Sequence, residues 1–123
     1  MNSDAGWDMF GDVAAITQWL DKANGSIPED DAIRIMKLSE EIGEVVSAYI
    51  GMTGQNPRKG FTHTQADLCR ELADVAITAM CAIAHFTRSG YGTYDPTVTR
   101  AFLASKITEI IKRSDIPPLT KRD

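Results

Sequence analysis

The sequence predicts an all-α fold of four helices, and three observations carry that prediction. Apolar residues recur at three- and four-residue spacing in four separate segments. Helix start and stop signals bound those segments, among them Thr64-Gln65-Ala66-Asp67, Asp95-Pro96 and Asn24-Gly25. No stretch shows the period-two alternation of a half-buried strand, and no repeat or low-complexity tract interrupts the chain.

At 123 residues with 43% hydrophobic content, the chain fits one domain, 1–123, with a single core. Residues 1–10 are polar and contain glycine, a loose lead-in with Trp7 and Phe10 as anchors. The first helix is expected over about 11–23, with Met9, Val13, Ile16 and Leu20 as its apolar seam and Asn24-Gly25 as its stop. Trp19 lies off that seam; it either covers a helix joint or offers a platform on which a base stacks.

Ser26-Ile27-Pro28-Glu29 has the form of a capping box for the second helix, which should run to about Ile50 before Gly51 to Gly54 end it. This helix carries Lys37-Leu-Ser-Glu40-Glu41-Ile-Gly-Glu44. At about 100° per residue, Glu40, Glu41 and Glu44 share one side, opposite an apolar stripe of Ile35, Leu38, Ile42, Val45, Val46 and Tyr49. Like charges spaced this way repel, so the segment gains from a cation. Lys37 falls between Glu41 and Glu44, where it relieves that repulsion or touches a substrate phosphate.

The linker from Gly51 to His63 is rich in Gly, Asn, Pro, Arg and Lys, and loops of this length in compact domains are often functional. Its adjacent cations Arg58 and Lys59 are candidate phosphate contacts, set against a plain solvated turn. Thr64-x-x-Asp67 caps a third helix that should reach about Arg88. From Val75 to Ala84 its only polar side chain is Thr78, so the helix should be buried on nearly every side. Its acids Glu71 and Asp74, one turn apart, are therefore the anomaly, since buried carboxylates need a partner or a metal. Cys69 and Cys81 sit too far apart on this helix to bridge, and both read as small core residues of a reducing compartment. His85 reads as a core or interface histidine. Asp95-Pro96 opens a fourth helix with Leu103, Ala104, Ile107, Ile110 and Ile111 as a buried stripe flanked by Lys106 and Arg113, and 114–123 form an arm.

Two helices that each offer carboxylates a turn apart can converge on one hard divalent ion. No His or Cys falls within either cluster, which favours an all-oxygen site for Mg²⁺, or Mn²⁺, over zinc. Either cluster alone is unspecific, because an exposed E-x-x-E is usually a solvated face; together they specify much more. The net charge of -4 and a pI near 5.1 leave no basic stripe for a nucleic-acid polymer, though a nucleotide held through metal is allowed. No leader or membrane-spanning run is visible, which makes the cytoplasm the default and a membrane partner unexpected.

The pairing of Glu40-Glu41-x-x-Glu44 with Glu71-x-x-Asp74, separated by 26 residues, resembles the all-α nucleotide pyrophosphohydrolases of the MazG type, relatives of dimeric dUTPases and phosphoribosyl-ATP pyrophosphohydrolases. The likeness covers about Lys37 to His85. It implies a four-helix MazG-like bundle that holds Mg²⁺ and cleaves nucleoside triphosphates to the monophosphate and pyrophosphate. Carried over, it makes Glu41, Glu44, Glu71 and Asp74 metal ligands and gives Glu40 and Glu41 the catalytic roles, Glu40 orienting the attacking water or helping to hold a further ion. It also implies a homodimer or dimer of dimers joined near the third helix. No motif for base choice is present; Trp7, Phe10, Trp19 and Tyr49 are candidates from their chemistry alone. Two other readings are a non-catalytic metal- or nucleotide-binding regulatory protein of the same fold, and a di-iron bundle, which lacks the E-x-x-H spacing it needs.

Overall fold

The computed structural model describes residues 8–24, 29–90 and 92–120, and among these it is all-helical, with four helices and no strand. They are α1 (Met9–Asn24), α2 (Glu29–Thr53), α3 (Gln65–Thr87) and α4 (Pro96–Ser114). The expected Ser26–Glu29 capping box and the anchoring of Trp7 lie outside the described residues. No described helix is long and apolar enough to cross a membrane.

The two other start signals form as their residue types dictate. Thr64 Oγ1 accepts from the Asp67 N–H at 3.1 Å while Asp67 Oδ2 accepts from the Thr64 N–H at 2.8 Å, which satisfies two amides the helix cannot. Those bonds also hold the Asp67 carboxyl below its ordinary value. At α4, Asp95 Oδ1 accepts from the Thr97 N–H at 2.9 Å, with Pro96 in the first turn.

Helix α3 packs against each of the other three helices, and its contact with α2 is the most extensive. The two run antiparallel: Asp31 meets His85, and thirteen positions further along α2 Glu44 meets Glu71, fourteen positions back along α3. The turn that fixes this register folds onto Gly51. A Cβ there would lie 2.2 Å from Nδ1 of His63 and 2.3 Å from Oγ1 of Thr62, and the Gly51 carbonyl accepts from the Thr62 N–H at 2.9 Å. Helix α2 continues through this glycine to Thr53, three residues past the expected end. Gly54 then takes a φ of +67° beneath the ring of Phe61, a conformation an L side chain resists.

The core is small: Val13, Met80, Cys81 and Ala84, with Phe10 and Leu103 against it. Several expected burial patterns are corrected here. The buried face of α1 is Val13, Ala14, Thr17 and Asp21, with Ile16 and Met9 outside it. In α3 only the C-terminal half is buried within the chain; Leu72 and Ile77 are exposed, and so is Cys69. The stripe Ile35, Ile42, Val46 and Tyr49 of α2 and the residues Ile107, Ile110 and Ile111 of α4 are likewise exposed. One cause accounts for α2. The more buried side of α2 bears Arg34, Leu38, Glu41, Val45 and Ala48, which splits the expected stripe: Leu38 and Val45 are partly buried, and Ile35, Ile42, Val46 and Tyr49 are left exposed.

Candidate functional site

Periodicity places Glu41 and Glu44 one turn apart on α2, and the antiparallel register brings them to Glu71 on α3. Carboxylate oxygens of the three lie within 4.8 Å of one another. Glu41 and Glu71 are partly buried and Glu44 is exposed. Oε2 of Glu71 is shut off from solvent and has no hydrogen-bond partner. Asp30 Oδ2 is the other such atom among the described residues, in the first turn of α2, where the helix dipole favours negative charge.

Like charges held this close raise one another's proton affinity. Desolvation pushes the Glu41 carboxyl above its ordinary value, and Glu44, Asp74 and Glu40 push it further while Lys37 opposes them. Desolvation also raises Glu71, together with the close approach of the Glu44 carboxyl and the charges of Glu44, Asp74 and Glu41. Two carboxylates meet in this way only around a shared proton or a cation.

The remaining candidates are distributed around this centre. Asp74 is exposed, one turn from Glu71, and acts on both raised glutamates through its charge while standing outside the group of three. Glu40 is exposed and paired with Lys37, Nζ to Oε2 at 3.1 Å. Lys37 also lines a cavity of about 230 Å³ between α1, α2 and α3, with Glu41, Arg34, Ile16, Leu20, Ile77, Thr78 and Cys81. Trp19, 68% exposed, neither covers a helix joint nor lines this cavity; its neighbours Ile16 and Leu20 do. On the other side of the acids, one turn past Glu44, Ser47 opens a second cavity of about 210 Å³, lined also by Lys59, Asn56, Thr62 and His63. Arg58 is exposed, its backbone N–H bonded to Asn56 Oδ1 at 3.2 Å, and it lines neither cavity.

A second polar cluster was not foreseen beyond the core placement of His85, which is fully buried. Its Nδ1 lies 2.8 Å from Asp21 Oδ1 and its Nε2 lies 2.6 Å from Asp31 Oδ1. Asp21 also accepts from Arg34 Nη2 at 3.0 Å and from the Tyr94 hydroxyl at 2.5 Å. Burial acts to raise Asp21, but the bonds from Tyr94, His85 and Arg34 win and hold it below the usual carboxylate range. Burial and the bond to Asp21 push Tyr94 up to about 12. Nothing in the apolar periodicity points to Asp21 or Arg34; the only sequence signal is that Asp21 falls eight positions after Val13 and four after Thr17, on one helical arc.

Compared with known proteins, the chain matches no family model, no curated protein and no solved structure.

Proposed function

We propose that the chain is a divalent-metal-dependent nucleoside triphosphate pyrophosphohydrolase of the MazG-like kind, converting an NTP or dNTP and water to the monophosphate and pyrophosphate. The observation that carries this reading is the convergence of Glu41, Glu44 and Glu71 within 4.8 Å, with an orphaned carboxylate oxygen on Glu71. An all-carboxylate donor set of this kind suits a hard ion, Mg²⁺ first and Mn²⁺ second. Glu41, Glu44 and Glu71 would hold it, with Asp74 adding negative charge on the α3 side. Bound there, the ion supplies positive charge for a polyphosphate and lowers the pKa of a coordinated water.

The other parts of the site fit the same chemistry. Glu40, oriented by Lys37 and next to Glu41 in the chain, would accept a proton from the attacking water. Attack at the α-phosphorus forms one P–O bond and breaks the bond to the β-phosphate, releasing pyrophosphate. The two cavities flank the acids along α2, so a nucleotide lying across them meets apolar walls at one end and Lys59 at the other. Incubation with a panel of NTPs and dNTPs plus Mg²⁺ should release pyrophosphate. Silence across the whole panel would sink the proposal; calorimetric binding without product would favour a regulatory protein of the same fold.

We also propose that the active form is a homodimer or a dimer of dimers. An apolar groove of about 410 Å³ runs between α2, α3 and α4, lined by Ile35, Leu38, Ala79, Ala82, Ile83, Phe86 and Phe102. Ile42, Val46 and Tyr49 on the same helix are also exposed, and large exposed apolar patches mark interaction sites. A second copy is the occupant that the sequence reading names. Sedimentation should give at least twice the 13.5 kDa chain mass; a stable monomer at micromolar concentration refutes the assembly.

A further inference from the structure

The cavity beside Glu41 has an unusual wall. Ile16 and Leu20 of α1 and Ile77 of α3 make it largely apolar, yet Arg34, only 6% exposed, lines it too. The guanidinium is anchored, with Nε and Nη2 both directed at Asp21 Oδ1, at 3.4 and 3.0 Å. Its third nitrogen, Nη1, makes no hydrogen bond to any described residue. Asp21 in turn is fixed by His85 and Tyr94, so the guanidinium cannot swing away without breaking a buried network. A rigid, charged donor with spare N–H groups among the apolar side chains of this cavity is a recognition element, because leaving it unpaired beside a bound ligand is costly.

The size of the cavity limits the ligand. At about 230 Å³ it is smaller than the roughly 300 Å³ at which pockets for whole small molecules begin, so it fits one heterocycle rather than a nucleoside. Arginine offers donors only. Uracil, thymine and guanine present a keto oxygen where cytosine and adenine present an amino donor. Facing a guanidinium, the first group is a partner and the second sets donor against donor.

We infer that this cavity takes the base of the bound nucleotide and that Arg34 makes it select keto bases over their amino counterparts. The inference rests on the proposed nucleotide chemistry at the neighbouring glutamates and adds the substrate class. Glu41 belongs to both the cavity and the acid cluster, so a base seated against Arg34 has its phosphates directed to the acids. Thr78, whose hydroxyl both donates and accepts, shares the wall with Lys37, a second donor, and with Glu41, whose carboxylate is engaged with the neighbouring acids.

The test uses pairs that exchange the keto for the amino group, and with it the protonation of the adjacent ring nitrogen: dUTP against dCTP, and dITP against dATP. The keto member of each pair should have kcat/KM about tenfold higher or more, the range of a hydrogen bond to a charged group. Arg34→Lys, which retains the charge facing Asp21, should shrink that ratio. Turnover with equal kcat/KM within both pairs overturns the inference while leaving the reaction standing. Binding is measured separately, by titration calorimetry with dUMP and dCMP in the presence of Mg²⁺, so that failure of the hydrolysis reading is distinguishable. Tighter dUMP binding, weakened tenfold or more by Ile16→Trp at the half-exposed cavity rim, supports the base site whether or not any triphosphate is cleaved. Equal binding of the two monophosphates, or binding indifferent to Ile16→Trp while Mn²⁺ still binds the glutamates, overturns it.

Discussion

One cluster of carboxylates sits where α1, α2 and α3 meet and another between α2 and α3, and they differ in how their charge is answered. Around His85, two aspartates meet one guanidinium and an imidazole whose two nitrogens both face carboxylate oxygens. Carboxylates only accept, so both contacts are hydrogen bonds when the ring carries both protons. Asp21 meets the Arg34 guanidinium at 3.0 Å and is held ionised. Around Glu71, three glutamates converge with Asp74 nearby, and Lys37, the cation that opposes the rise at Glu41, is paired with Glu40. Here burial and like charge raise the carboxyls, and one oxygen is orphaned. A cluster complete in itself holds helices together; a cluster lacking a counter-charge is arranged for something the chain does not supply.

Substitutions should therefore have opposite consequences in the two places. Glu41→Gln and Glu71→Gln should each lower pyrophosphate release about a hundredfold or more, since each removes a proposed ligand of the ion. The same changes should leave the metal-free fold as stable as before or more so, because they relieve repulsion. Unchanged turnover in both variants would end the case for the acid centre. Asp21→Ala should do the reverse, destabilising the fold by about 3–5 kcal/mol in urea unfolding by stranding Arg34 and His85. If Asp21→Ala unfolds at the same urea concentration as the natural chain, the network is not the staple described here.

The same contrast explains what was legible in the sequence. The acids could be found because Glu71 and Asp74 stand out in an apolar helix and Glu40, Glu41 and Glu44 share one side of another, and two clusters at matching spacing restrict each other, although the half of α3 that carries the first pair is not buried within the chain. The helices could be found because Thr64, Asp67, Asp95 and Pro96 carry local capping chemistry that owes nothing to tertiary contacts. Which face each helix buries could not. Hydrophobic periodicity gives a stripe but not its partner, and in α2 most of the stripe is left exposed while the more buried side carries Arg34 and Glu41. Asp21, Arg34 and Tyr94 escaped for a related reason. Each is unremarkable alone, and their meaning comes from contacts between positions 13 to 73 residues apart. Asp74 is the reverse case, conspicuous by spacing yet outside the three oxygen donors that the register brings together.

The finest difference between the two clusters is the sign of their pH dependence. Asp21 has its folded pKa lowered, so its contribution to stability is present above the unfolded carboxylate value of about 3.9 and is lost as pH falls through the folded value. Glu41 and Glu71 have theirs raised, so in the metal-free protein their ionisation costs stability, and the cost disappears as pH falls through the raised values toward about 4.3. Mild acidification from neutrality should thus raise the melting temperature of the metal-free chain before stronger acid lowers it. Saturating Mn²⁺ should remove the initial rise, because an ion bound by the carboxylates is lost as they take up protons. The melting curves with and without Mn²⁺ should stand apart at neutral pH and merge in acid, and Glu41→Gln with Glu71→Gln should abolish the separation. Curves that coincide at every pH would mean that the orphaned oxygen of Glu71 is answered by a proton alone, and the acid cluster would lose its claim to an ion.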